Sequence, residues 1–436
     1  MENSLKTIKH KPMKKIASAL IIVVFAISVN GQKLLDIYKK GAVRLIPDTE
    51  YGKGNDWNKV FKTYFDTIYD TPMGSRKSLV IMPDGSVVVN HRYRNYYSRF
   101  SPSGRFEKEF NVTNKKGLPF KELTEIEGVI NNTFFTLPDN TGNMLCFDFS
   151  GRYAKTLKLD YMVNQMVPLP NDKIAVVGWV IKKNSFCDFV AIVNYSDNAQ
   201  KIIWQNNIDK SETDKNDKLF HYTYTFKNGK SISMSTMPYL NWAGLSSPPK
   251  IDCVSDKLIV SIPGTGEIFS YTHTGELITK SRINWAPGNI SVDEQKEIQQ
   301  TAIDNFKHKK MQANTGLASP DEIKNANSQI IQQMQSDLGR ITQPIPLPAF
   351  STIIKDSDGN LLYFEYPKKE NANKFNVWIF EKNGSFVCQS SFICEEYELN
   401  INPSKMIFRD GYIYGLQILK KASGVPLRLV RFKVSN

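Results

Sequence analysis

A pair of tight turns that recurs along the chain constrains this sequence more than any other feature. Between Ser78 and Phe110 it reads S-L-V-I-M-P-D-G-S-V-V-V-N, then H-R-Y-R-N-Y-Y-S-R-F-S-P-S-G-R-F-E-K-E-F. Pro83-Asp84-Gly85 and Ser103-Gly104 separate short β-branched or aromatic runs, which predicts two hairpins in series. The second turn returns at Ser150-Gly151, Ser196-Asp197, Thr274-Gly275 and Asn383-Gly384. A large apolar residue stands three positions ahead of each: Phe100, Phe147, Val193, Tyr271 and Phe380. Another apolar residue stands three positions after: Phe106, Tyr153, Ala199, Leu277 and Phe386. Hairpin turns need residues that tolerate φ > 0, and the flanking apolar positions are expected to pack between sheets.

The first turn has its own series. Asp84-Gly85, Asn131-Asn132, Asn171-Asp172, Ser255-Asp256, Asp358-Gly359 and Asp410-Gly411 each precede a strand-like run. That makes six first hairpins and five complete second ones. In the last unit Leu427–Val434 reads as a third strand, and Ser435-Asn436 stand where the next turn would come. An unpaired edge there would be costly, and the alternating run Ala42–Ile46 can supply the missing strand. The expectation is an all-β fold over residues 42–436: a six-bladed β-propeller closed by its N-terminal strand, with a helical hairpin inserted. This blade pattern resembles six-bladed propellers of the NHL and TolB-like kind, in particular their exported, largely uncharacterised members. The resemblance covers roughly residues 42–436 and brings no motif that carries chemistry.

Two stretches break the period. Residues 205–249 hold a polar run at 208–218, a strand pair around Asn228-Gly229, and Trp242. Residues 286–348 read as an αα-hairpin. Ser291 with Glu294 opens one helix; Ser319-Pro320-Asp321-Glu322 opens a second, which Gly339 is expected to end. In that second helix Ile323, Ala326, Ile330, Ile331, Met334 and Leu338 form one apolar stripe, expected to pack on the propeller itself.

The N-terminus reads as a targeting segment. Met13-Lys14-Lys15 precedes an apolar run from Ile16 to Val29, and Val29-Asn30-Gly31 offers a cleavage site before Gln32. Such a run is short for a bilayer core of ~30 Å, so residues 1–31 are expected to be a signal peptide, with translation starting at Met1 or Met13. The mature protein would be periplasmic or extracellular, with no transmembrane span. A net charge of +13 favours acidic partners weakly. No Arg/Lys block of nucleic-acid type is present, so nucleic acid is not an expected partner. Cys146, Cys187, Cys253, Cys388 and Cys394 show no metal spacing and sit mostly in apolar runs, as buried thiols would.

In a meander the tight turns lie on one face, while the second-to-third loops and the crossings lie on the other, together with both insertions. Loops that lengthen on one face of a rigid scaffold are where binding residues collect. On that face the sequence places His91, Arg92, Tyr93 and Arg94, then Trp179 with Lys182 and Lys183, then Lys368, Lys369, Lys374, Lys420 and Lys421. Arginine forks beside aromatic faces suit acidic sugars or acidic peptide segments. The expected function is therefore recognition of a carbohydrate or protein partner, with His91, Arg92, Tyr93, Arg94, Trp179 and Lys182 as ligand-binding residues and no metal. The alternative is a lactonase-like hydrolase. Only that reading needs a cofactor, a calcium ion in the central channel, for which Glu127, Asn164 and Asp252 are the candidates. No Ser or Cys nucleophile signature accompanies His91, His221 or His273.

Overall fold

The computed structural model describes residues 34–61, 79–91, 96–119, 126–137, 142–182, 185–209, 221–235, 248–284, 288–308, 318–366, 374–401, 403 and 405–435. The expected signal peptide and the loop Arg92-Tyr93-Arg94 lie outside those residues. Among the described residues no helix is long and apolar enough to cross a membrane.

The fold is mostly β and built from small antiparallel sheets. Four of them are four-stranded meanders in strict sequence order. Sheet 1 runs Leu79–Ile81, Val87–His91, Tyr96–Phe100, Phe106–Asn111. Sheet 2 runs Ile126–Ile130, Thr133–Thr136, Asn143–Asp148, Tyr153–Lys158. Sheet 3 runs Met162–Leu169, Lys173–Lys182, Ser185–Asn194, Gln200–Asp209. Sheet 4 runs Lys250–Val254, Lys257–Ile262, Glu267–Thr272, Leu277–Arg282. The outer strand of sheet 3 continues through position 205, where the first insertion was expected to begin. It stays paired with Ser185–Asn194 to Asp209.

A nine-stranded sheet joins the rest. Thr352–Lys355, Leu361–Phe364, Lys374–Phe380 and Phe386–Ile393 form one meander (sheet 5). Met406–Arg409, Tyr412–Leu419 and Leu427–Ser435 form another (sheet 6). Ala42–Pro47 lies between them. It pairs antiparallel with the last strand, Leu45 opposite Val434, and parallel with sheet 5, Val43 opposite Phe392. The helix Leu34–Tyr38 (α1) precedes it, and the Tyr38 hydroxyl donates to the buried Asp356 carboxylate at 3.1 Å. The short helix Trp57–Val60 (α2) follows it, capped by Asp56.

The turn chemistry is as the sequence predicts except in sheet 3, where Asn198, and neither Ser196 nor Asp197, takes the positive φ. Asn131, Asn132, Asn171, Asp172, Ser255, Asp256 and Asp410 all have positive φ, as do Gly85, Gly104, Gly151, Gly275, Gly359, Gly384 and Gly411. Gly104 also has no room for a side chain: a Cβ would stand 2.7 Å from the Gly52 nitrogen. The residues three ahead of the second turns, Phe100, Phe147, Val193, Tyr271 and Phe380, are all buried. Each full aromatic burial contributes about 2–3 kcal/mol. The residues three after them behave differently. Leu277 and Phe386 are more than half exposed, at 57% and 54%, because the fourth strand is the outermost of its sheet. All five cysteines are free thiols.

The first strands of successive sheets touch in chain order. Leu79–Ile81 meets Ile126–Ile130, which meets Met162–Leu169, then Lys250–Val254, Thr352–Lys355 and Met406–Arg409, and the last returns to Leu79–Ile81. Side chains stitch neighbouring sheets across their turns. Lys155 donates to the carbonyls of Tyr195 and Ser196, Lys201 to Thr274 O at 2.9 Å, and Arg409 to Met82 O at 2.8 Å.

The two insertions form one cap. Val292–His308 (α3) is capped by Ser291, whose Oγ accepts from the Glu294 amide at 3.1 Å. Pro320–Arg340 (α4) begins with a full capping box between Ser319 and Glu322. Gly339 does not end α4; it lies within the last turn, without positive φ, and the C-cap is Ile341. The apolar stripe of α4 is covered by the cap rather than by the sheets. Ile330 and Met334 pack with Ile303 of α3 and Tyr222 of the hairpin His221–Thr225/Ser231–Ser235; Ile323 and Ala326 pack with Phe226. Polar groups lock the same junction. Gln299 Nε2 donates to the Tyr222 hydroxyl at 2.7 Å, which donates to the buried Asp337 carboxylate at 2.9 Å. The strand pair Asn289–Ile290/Ile345–Pro346 closes the base of the cap.

Candidate functional site

The first strands of the sheets enclose a cavity of about 1870 Å³, and α3 lies across it. Helical geometry explains which residues α3 presents. Glu294, Glu297, Ile298 and Thr301, spaced three and four apart, share the side that lines the cavity. Gln295, Gln299 and Ile303 lie on the side buried within the cap.

The wall mixes apolar and polar groups. Val80, Val129, Met166, Ile251, Ile354 and Met406 supply apolar surface; Glu127, Asn164, Lys250, Asp252, Lys355 and Arg409 supply the polar atoms. Sheets 3 and 4 are held in register here by one side chain. Gln165 Nε2 donates to Ile251 O at 2.9 Å, and Gln165 Oε1 accepts from Ile251 N at 3.1 Å. This closes the open inner edge of Lys250–Val254 as a paired strand would.

Most of the polar groups already have structural work. Asp252 Oδ1 accepts from the Cys253 amide at 2.7 Å and faces Lys355 Nζ at 3.7 Å. Burial pushes the Asp252 carboxyl up, against the opposing effect of Lys355. Lys355 also donates to the Cys253 carbonyl at 2.5 Å. Arg409 is held by Met82 O and by the Asp410 carboxylate at 3.4 Å. Lys250 differs. Its side chain forms no hydrogen bond or ion pair among the described residues, and burial lowers its ammonium to about 8.

The residues singled out from the sequence fall elsewhere. His91 ends a strand opposite Tyr96, and Lys182 ends one opposite Ser185; their side chains lie outside what the structure describes. Trp179 is half-buried on sheet 3, opposite Met162 and Asp188, and does not line the cavity. Lys420 donates to the carbonyls of Cys394 and Glu395, at 2.9 and 3.1 Å, and serves the fold. Glu127, Asn164 and Asp252 do meet on one cavity, from three different sheets. Among the described residues no group of three or more His, Cys, Asp or Glu can hold a metal ion, and Asp252 is engaged by a lysine.

Two groups escaped sequence reasoning. Lys250 opens an ordinary-looking strand, K-I-D-C-V, and nothing local marks it. Asp188 had a signal: an acid inside the apolar run F-C-D-F-V. It is 3% exposed, its Oδ1 has no hydrogen-bond partner among the described residues, and burial pushes its carboxyl up to about 7.

No family model matches the sequence, and no curated protein does. Solved structures align with it at low identity. A member of the DUF4221 family from Bacteroides vulgatus is 9% identical, over 82% of this chain and 92% of that one, with a TM-score of 0.43. A streptogramin B lyase is 11% identical, over 83% and 94%, with a TM-score of 0.32. A protein described as exported, from Bacteroides fragilis, is 12% identical, over 80% and 86%, with a TM-score of 0.37. Likenesses this distant assign no chemistry to the present chain.

Proposed function

We propose that this chain is an exported six-bladed β-propeller, closed by its N-terminal strand, which binds a ligand in its central channel beneath the cap. The ring reading is supported by the unbroken order of contacts between first strands and by the pairing of Ala42–Pro47 with Leu427–Ser435. Export rests on the apolar run Ile16–Val29. Periplasmic or cell-surface recognition of a carbohydrate-sized partner is the function that fits both.

One observation carries the binding reading: a cavity of about 1870 Å³ whose wall comes from separate sheets and whose cover is a helix built for it. Rigid scaffolds that converge polar groups on an apolar-lined hollow are the usual form of small-molecule sites. The basic residues His91, Arg92, Tyr93, Arg94, Trp179 and Lys182 are proposed as a surface that gathers acidic partners. The hydrolase alternative would draw on Glu127, Asn164 and Asp252, which line the same cavity.

Filling the cavity tests the proposal. Thr301→Trp on α3 puts bulk into the hollow from a lining position. In a thermal-shift screen of sugars and organic acids, compounds that raise the Tm of the native protein are expected to leave the Thr301→Trp variant unchanged. Equal shifts in both proteins, or no shift with any compound, would contradict a channel site. An Arg92→Ala/Arg94→Ala double variant that keeps those shifts would place that surface outside the binding step.

A further inference from the structure

Lys250 is the cation of the cavity wall whose side chain has no hydrogen-bond or ion-pair partner among the described residues, and Asn164 Nδ2 on the same wall is buried without one as well. The neighbours of Lys250 are fixed. Ile251, the next residue, is held at both N and O by Gln165, so the backbone that carries Lys250 cannot shift to find a counter-ion. The charged groups around it are accounted for by element. On its own strand Asp252 is engaged by Cys253 N and Lys355; on the next first strand Lys355 binds a carbonyl; Arg409 is tied to sheet 1. Glu127 stands on sheet 2, and Glu294 and Glu297 line the cavity from α3, and none of them forms an ion pair with Lys250. A cation kept part-buried without an anion costs stability, and a ligand carboxylate would remove that cost.

We propose that the cavity takes a small organic acid, its carboxylate held by the Lys250 ammonium and its hydroxyl or amine groups donating to Glu294 on the cap helix. This rests on the channel being a ligand site and goes further by naming the ligand's chemistry. Glu294 on α3 gives such a ligand a fixed sense: donor groups towards the cap, carboxylate towards the wall. The lowered ammonium of Lys250, near 8, supports the assignment, because it places the loss of the charge within an accessible pH range.

Calorimetric titration with glucuronate and with glucose, which share a ring and differ in the carboxylate, tests both levels. The native protein is expected to bind glucuronate at pH 7 and to weaken on the order of tenfold by pH 9, as an ammonium with a pKa near 8 discharges. Lys250→Met is expected to lose glucuronate binding. Lys250→Arg is expected to keep it without the pH dependence, which separates loss of the charge from loss of the fold. If glucose binds as well as glucuronate and Lys250→Met changes neither, the channel is a site but the carboxylate assignment is overturned. If neither sugar binds, the carboxylate assignment is overturned together with the channel reading it rests on.

Discussion

The basic side chains that stitch the sheets across their turns and Lys250 on the capped side are used in opposite ways, although Lys355 of the cavity wall is also tied to a carbonyl. On the turn side, long basic side chains reach from one sheet to a backbone carbonyl of the next. Lys155 reaches Tyr195 and Ser196, Lys201 reaches Thr274, and Arg409 reaches Met82. On the capped side the Lys250 side chain reaches nothing among the described residues, and Asp188 on sheet 3 is buried with an unpartnered oxygen. The first arrangement satisfies carbonyls that a sheet edge leaves open. The second leaves polar groups desolvated and uncompensated, which a fold selected for stability alone would remove. The difference is what the proposed channel site would predict: scaffold groups satisfied, cavity groups left for a ligand.

Substitutions can break that contrast, the largest effect first. Asp188→Asn removes a carboxyl whose pKa rises from 3.8 unfolded to about 7 folded. In that window the folded state binds the extra proton, so the native protein loses stability as pH rises from about 4 to 7. Asp188→Asn is expected to be more stable than the native protein by about 2–4 kcal/mol at pH 8 and equal to it at pH 4. Denaturant melts at both pH values check this; a constant offset would contradict it.

Gly104→Ala probes the turn side with the opposite sign. Its φ of +78° and the 2.7 Å approach to Gly52 N predict a loss of about 2–3 kcal/mol, with ligand binding unchanged in the surviving folded protein. Lys250→Met is expected to gain about 1–3 kcal/mol at pH 7, where the native ammonium is charged and part-buried, and to gain less at pH 10. Lys201→Met, which removes one carbonyl stitch, is expected to lose about 1 kcal/mol in the same melts. A lysine that destabilises on removal at Thr274 and stabilises on removal in the cavity would sharpen the contrast; equal signs would erase it.

Much of the scaffold was legible because its constraints are local. A turn that needs φ > 0 selects Asn, Asp or Gly at known spacing, so the hairpins at Asn131-Asn132 and Asp410-Gly411 could be read directly. Ser319 and Glu322 announced their helix in the same way. What failed was whatever depends on long-range neighbours. Leu277 and Phe386 match the spacing of buried residues yet face solvent, since spacing does not tell an outer strand from an inner one. The stripe on α4 gave its own apolarity but not its partner, which came from the other insertion. The cavity is the extreme case. Its wall collects residues from positions 80 to 409, and no window of sequence contains Lys250 together with Glu294 and Glu127. The basic residues that did stand out, such as Lys420, were conspicuous by composition, and the fold employs that one on backbone carbonyls.

The titration of Lys250 itself tests the account most directly. Reductive ¹³C-methylation, with the Lys250 signal assigned by its absence in Lys250→Arg, lets its ionisation be followed by NMR with and without glucuronate. An uncommitted ammonium in the cavity wall is expected to titrate near 8 and to move upward when glucuronate is added. A titration near the ordinary lysine value of about 10.4, unmoved by glucuronate, would contradict it.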